Sequence, residues 1–207
     1  MRTSCRRLFC YLLITIILFI LNVRLGFSQS ADSLTTENYL EIGISTLYSP
    51  SSFAAWGKIE NSSAISIRGQ FWHSRISWKN LNARLGSELI LTQRLNYPVN
   101  GIDGPRDQRT GFGIVPLNIL LPITHRSNIR PFTFFSAGGI FLNEKLPVGS
   151  GASLNYLLNV GAGLELPFID NSNIQFGYSI QHMSNANTGQ VNPGIDSHMF
   201  FLTILLP

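Results

Sequence analysis

His182 and Ser184 stand two residues apart in the run Gln181-His182-Met183-Ser184-Asn185. Side chains alternate along a strand, so on a strand these two share a face, about one pleat repeat apart. A serine hydroxyl becomes a nucleophile at neutral pH only beside a base. Imidazole is the natural choice, because its basicity lies near the working pH. The imidazole in turn needs a carboxylate to hold its tautomer and stabilise its charged form. Asp196 is the single acidic residue after Asp170, and it opens the next apolar run across a loop that folds back beside His182. Asn185 and Asn192, in that loop, carry side-chain amides of the kind that stabilise an oxyanion. The chemistry in view is nucleophilic acyl transfer. Two plainer readings stand beside it: His182 as a hydrogen-bond partner for a loop at the rim of a barrel, and Asn185–Gly194 as an ordinary turn built from Asn, Gly and Pro.

The elements that must carry these residues follow from the pattern of apolar runs. They are Tyr39–Tyr48, Ala64–Trp72, Asn82–Leu95, Thr110–Ile123, Ile129–Asn143, Leu154–Phe168, Asn173–Met183 and Ser197–Leu206. Each is close to the ~10 residues with which a β-strand crosses a membrane. The gaps alternate in length. Asn96–Arg109, Glu144–Ser153 and Ser184–Asp196 are long and polar, while Thr124–Asn128 and Ile169–Ser172 are short. Long outer loops alternating with short turns characterise an outer-membrane barrel. The expected fold is therefore all-β, an eight-stranded antiparallel transmembrane β-barrel. A secreted soluble barrel or sandwich also has short strands and turn signals. The discriminator is the apolar face, which a soluble barrel turns inward and a membrane barrel turns outward. In the seventh run Ile174, Phe176, Tyr178, Ile180, His182 and Ser184 share one face, while Gln175, Gly177, Ser179, Gln181 and Met183 share the other.

Only 13% of residues are charged, against about 25% in an average soluble domain. Arg2, Arg6 and Arg7 precede the apolar run Leu8–Leu21, which is shorter than the ~20 residues needed to span a bilayer as a helix. Gly26-Phe27-Ser28 then offers small residues for cleavage before Gln29. We expect residues 1–28 to be a signal peptide and residues 29–207 to form one barrel domain. Cleavage removes Cys5 and Cys10, the two cysteines of the chain, and with them any disulfide framework or Cys-based zinc site. It also removes Arg2, Arg6, Arg7 and Arg24 from the 15 basic residues, leaving as many basic as the 11 acidic side chains. The basic character of the precursor thus gives no argument for a nucleic-acid partner.

Other motifs contribute little. No phosphate-binding glycine loop, zinc-protease helix or calcium loop is present in the sequence. Gly111-Phe112-Gly113, Gly138-Gly139 and Gly161-Ala162-Gly163 read as strand packing. Arg106, Asp107 and Arg109 read as a solvated cluster, or as a contact for anionic lipid headgroups.

The string His182-Met183-Ser184-Asn185-Ala186, followed by Asn192-Pro193-Gly194-Ile195-Asp196, resembles the signature of the lipid A 3-O-deacylase family. Its pattern is His-x-Ser-Asn-Ala, then Asn-x-Gly and an acidic residue, and the specific similarity covers residues 178–200. The resemblance implies an outer-membrane esterase on an eight-stranded barrel that removes the ester-linked hydroxyacyl chain at position 3 of lipid A. It makes His182 the general base, Ser184 the nucleophile and Asp196 the third triad member. Asn192 is the oxyanion donor and Asn185 supports the site. No metal and no cofactor enter this scheme. The partner is lipopolysaccharide in the outer leaflet, and a homodimer is left open. Two departures stand out. Asp196 occupies the place where the family usually has Glu, one methylene longer, with His198 as an alternative partner for His182. The chain ends Leu205-Leu206-Pro207 rather than in the aromatic residue common to membrane barrels. The competing functions are a non-catalytic small barrel, an esterase acting on phospholipid, and a soluble periplasmic lipid carrier.

Overall fold

The computed structural model describes residues 34–78, 81–123 and 128–206. The signal sequence expected at residues 1–28, its cleavage point and Pro207 lie outside them. The chain forms β1 (Thr35–Ser49), β2 (Ser52–Phe53), β3 (Ser63–Trp78), β4 (Leu81–Pro98), β5 (Arg106–Pro122), β6 (Arg130–Leu146), β7 (Ala152–Pro167), β8 (Asn173–Ser184) and β9 (Ile195–Leu206). The long strands pair antiparallel with their sequence neighbours, and β1 pairs with β9 from Ile42–Leu206 to Tyr48–Phe200, closing an eight-stranded ring. Each of the eight runs read from the sequence falls on one long strand. The two-residue β2, which pairs Ser52 with Ser197 and Phe53 with Asp196 on β9, was not among them.

Alternation sorts the two faces. Leu40, Ile42, Ile44, Phe112, Ile114, Val160, Phe176, Ile180, Phe200, Leu202 and Ile204 point outward and are exposed. An exposed apolar belt of this extent has no place in water and suits a hydrocarbon surround. No helix among the described residues is long and apolar enough to cross a membrane.

The interior is layered, with a cavity of about 410 Å³ bordered by Arg84, Arg130, Phe132 and Glu165. An upper apolar cluster includes Ile90, Leu95, Tyr97, Val115, Ile140, Leu142, Leu157, Met183 and Ile195. A lower one holds Trp72, Leu120, Phe132, Met199, Phe201 and Leu205. Room for the Phe132 and Phe201 rings comes from Gly163 and Gly177, which face each other across β7 and β8. A Cβ at Gly163 would stand within 3 Å of both rings, and one at Gly177 2.7 Å from the Phe201 ring. A polar band lies in the barrel as well. Arg68 pairs with Glu88 at 3.0 Å, and Asn118 donates to Glu88 at 2.7 Å. Gln93 donates to Gln181, Gln181 to Asn159, and Asn159 to Ser136. Another network ties Arg84 to Glu41 and Glu165, with Arg130 and Gln175 also on Glu165. The lumen is thus not uniformly polar, as a water-filled channel would be. Packed apolar side chains make up two of its layers.

Arg68 is 2% exposed, so its charge depends on Glu88. Glu88→Ala is expected to destabilise the barrel by about 3–5 kcal/mol, the cost of stranding a buried charge. Urea titration followed by heat-modifiable gel migration measures this, and an unchanged midpoint would contradict it.

Candidate active site

The strand register brings His182 and Asp196 together. β8 and β9 pair so that His182 stands directly opposite Asp196, both on the outward face. His182 Nδ1 and Asp196 Oδ1 are 2.6 Å apart. Ser184 follows two residues along β8 on the same face, with Tyr156 of β7 as its cross-strand neighbour. With Nδ1 engaged by the carboxylate, His182 Nε2 is the ring atom left for the serine. The Ser184 hydroxyl makes no hydrogen bond to another described residue. Behind the site, the inward-facing Gln181 and Met183 anchor β8 in the polar band and the upper apolar cluster.

Asp196 is 1% exposed despite facing outward. It is covered by the segment after β2. Ala55, Trp56 and Gly57 each donate a backbone N–H to Asp196 Oδ2, at 3.1, 2.6 and 2.6 Å. Three amides converging on one oxygen form an anion cradle. Trp56 also sets its ring edge-on to His182, with centroids 5.7 Å apart, while remaining 78% exposed. None of this was read from the sequence. A backbone N–H carries no side-chain signature, and Ser51–Ile59 has no regular alternation to mark it.

The loop from β8 to β9 is braced by its asparagines. The Asn185 side chain donates to Val191 O at 2.8 Å and accepts from Asn187 N at 3.0 Å. Both of its amide functions are therefore spent inside the loop. Asn192 Oδ1 accepts from the backbone N–H of Asn185, the residue after Ser184. That bond ties the Asn192 amide to the backbone directly after Ser184 through its oxygen. Ala186, Asn187 and Gly194 take positive φ values of 50°, 63° and 67°. At Gly194 a side chain would lie 3.1 Å from Gly57 Cα and 3.3 Å from His182 Cε1.

His198 does not join His182. Its Nδ1 lies 2.6 Å from the Tyr178 hydroxyl and its ring stacks on Phe53 at 4.4 Å. Nor is the charged cluster a simple solvated face. Arg109 is buried and paired with Asp107 at 2.6 Å and Glu144 at 3.3 Å. Arg106, at the start of β5, ties Asn96 of β4 to Asn61 in the loop before β3. Arg109 is thus neutralised within the chain, while the exposed Arg106 bonds, among the described residues, only to neutral oxygens and keeps the solvated character read from the sequence. Among the described residues no group of His, Cys, Asp and Glu is arranged to hold a metal.

The lipid A 3-O-deacylase (PagL) family matches residues 54–204, from the covering segment to the end of β9. The chain belongs to the lipid A 3-O-deacylase family. The crystal structure of the outer membrane enzyme PagL superposes with a TM-score of 0.53 at 17% identity, covering 78% of this chain and 97% of that one. Neisserial surface protein A (NspA) superposes with a TM-score of 0.51 at 11% identity, covering 83% of this chain and 98% of that one. These two likenesses concern the fold, an eight-stranded outer-membrane barrel. No curated protein matches the chain. Family membership and the outward apolar belt together make this deacylase-family chain an outer-membrane protein.

Proposed function

We propose that the chain is an outer-membrane serine esterase that hydrolyses the 3-O-linked acyl chain of lipid A. The observation that carries this reading is the 2.6 Å His182–Asp196 pair on the outward face, with Ser184 one pleat away. An ionisable pair on a face bathed in lipid is costly and is kept where it is used. Lipid A reaches such a face by lateral diffusion, and its ester lies at the level where strand gives way to loop. The exposed Leu154, Tyr156 and Val160 of β7 offer apolar surface beside Ser184 for an acyl chain.

In this mechanism Ser184 Oγ attacks the ester carbonyl carbon and His182 Nε2 takes its proton. Asp196 holds the Nδ1–H tautomer and stabilises the imidazolium. Asn192 Nδ2 donates to the tetrahedral oxyanion. His182 then returns the proton to the sugar oxygen as the C–O bond breaks, leaving acyl-Ser184. Water deprotonated by His182 hydrolyses that ester and releases the fatty acid. The loop 185–194 beside the site faces outward, Thr35 of β1 and Leu206 of β9 lie at the opposite end, and residues 1–28 act as the export signal. No second copy of the chain is needed.

Mass spectrometry of lipid A from lipopolysaccharide-producing cells tests the assignment. Expression should remove one 3-O-linked hydroxyacyl chain. An unchanged lipid A mass, with the protein folded in the outer membrane, would overturn the substrate and direct attention to phospholipid esters. Asn192→Ala should lower kcat by about 10²–10³-fold, the usual cost of one oxyanion donor, with little change in KM. A loss confined to KM would remove Asn192 from that role.

A further inference from the structure

The geometry points to residues 54–59 as the element that positions the catalytic acid, with Gly57 as its positioning residue. This rests on the esterase reading above and adds to it a part of the chain remote in sequence from the motif.

Asp196 Oδ1 is engaged by His182, and Oδ2 receives three backbone N–H groups. The carboxylate cannot rotate without exchanging these partners. Its position is therefore set by where the strap lies. The strap is itself pinned to the strand that carries Asp196. Lys58 N donates to Pro193 O at 2.7 Å, and Ile59 N to Gly194 O at 3.2 Å. Ile59 bridges in parallel to Ile195. Before the cradle, Phe53 pairs with Asp196 in the sheet and stacks on His198. Ser52 Oγ closes the strap by donating to Ile59 O at 2.9 Å. His198, set aside as a triad partner, thus serves as a platform for the strap.

Gly57 is where this contact becomes closest. A Cβ there would stand 2.8 Å from both Gly194 C and Ile195 N, and 2.9 Å from Gly194 O. These are backbone atoms that cannot swing aside. Only glycine lets the strap settle deeply enough to bring the residue 57 N–H within 2.6 Å of the carboxylate. The same fit accounts for the shorter acid. A glutamate would push the carboxylate about 1.5 Å further, into amides that already stand at hydrogen-bond distance. In this chain the strap comes to the aspartate, so the acid's length and the strap's depth are matched.

The test uses the full chain refolded in detergent micelles, with Gly57→Ala and Asp196→Glu as variants. Turnover of lipid A and the downfield Nδ1–H proton resonance of His182, assigned by its loss in His182→Gln, are both measured. Each variant should lower kcat by about 100-fold, the effect of a misplacement near 1 Å, with KM held. The resonance should shift or vanish while heat-modifiable migration persists. A rate within about two-fold of the native one, or a lower rate with the resonance unmoved, overturns the inference. If Gly57→Ala does not fold, Asp196→Glu decides by the same readouts, because it leaves the strap's own sequence intact. The resonance is independent of turnover. Activity surviving in Ser184→Ala would therefore sink the esterase reading while the resonance still judged the strap.

Discussion

Ser184→Ala should lower turnover by about 10⁶-fold, or roughly 8 kcal/mol of activation free energy, leaving only what binding and the oxyanion site supply. Losing the nucleophile of a hydroxyl–imidazole–carboxylate set is comparable to losing the whole set, since its members act as a unit. The substitution should be nearly silent for folding. Ser184 lies at the end of β8 on the outward face, and its hydroxyl holds no hydrogen bond to another described residue that alanine would break. Purified variant and native protein should show equal heat-modifiable migration and equal urea midpoints. A folded variant retaining more than a few per cent of native turnover would remove Ser184 as the nucleophile.

Asp196→Asn should lower kcat by about 10⁴-fold, and here the strap decides the direction of the amide. Oδ2 of the native residue faces three backbone N–H donors, and Oδ1 faces His182 Nδ1. An asparagine must place its oxygen among those donors, because its NH₂ would meet them donor to donor. The NH₂ then points at His182 Nδ1 and demands an acceptor there. The imidazole proton moves to Nε2, the atom that must receive the proton of Ser184. A fold-neutral change thus leaves the base in the wrong tautomer, the situation that costs about 10⁴-fold in a serine triad. Imidazole ¹⁵N shifts should report the tautomer switch alongside the kinetic loss. An undiminished rate would take Asp196 out of the mechanism.

The barrel was legible from the sequence because its signal is repeated. Eight apolar runs separated by polar gaps match the eight long strands. The expected alternation of loop lengths is not found. Connections 99–105 and 123–129 are equal in length, as are 147–151 and 168–172, because the strands extend into the polar stretches read as long loops. The closing β1–β9 pairing follows once eight strands must satisfy their edges. The His182–Asp196 juxtaposition was also within reach, since the loop after β8 returns the chain antiparallel and opposite residues share a face. What sequence reasoning passed over depends on groups without side-chain identity. The cradle at Ala55–Gly57 consists of backbone amides, and β2 is too short to show a period. Gly57 was one glycine among 18. Its importance arises only from its approach to Gly194, 137 positions later and fixed by tertiary contact. Arg109 was misjudged for a related reason. A charged residue in a polar stretch looks solvated until the fold brings Glu144 beside it.

The layered interior has a consequence beyond stability. Trp72, Phe132 and Phe201 pack near one end and Tyr97, Ile140 and Leu142 near the other, with ion pairs locked in the barrel as well. The ring therefore offers no continuous aqueous path. A planar bilayer loaded with this protein should keep its electrical resistance, and a cell should be able to carry many copies without leaking solutes or admitting antibiotics. Remodelling from the rim of a sealed cylinder lets the lipid coat be edited while the permeability barrier stays shut.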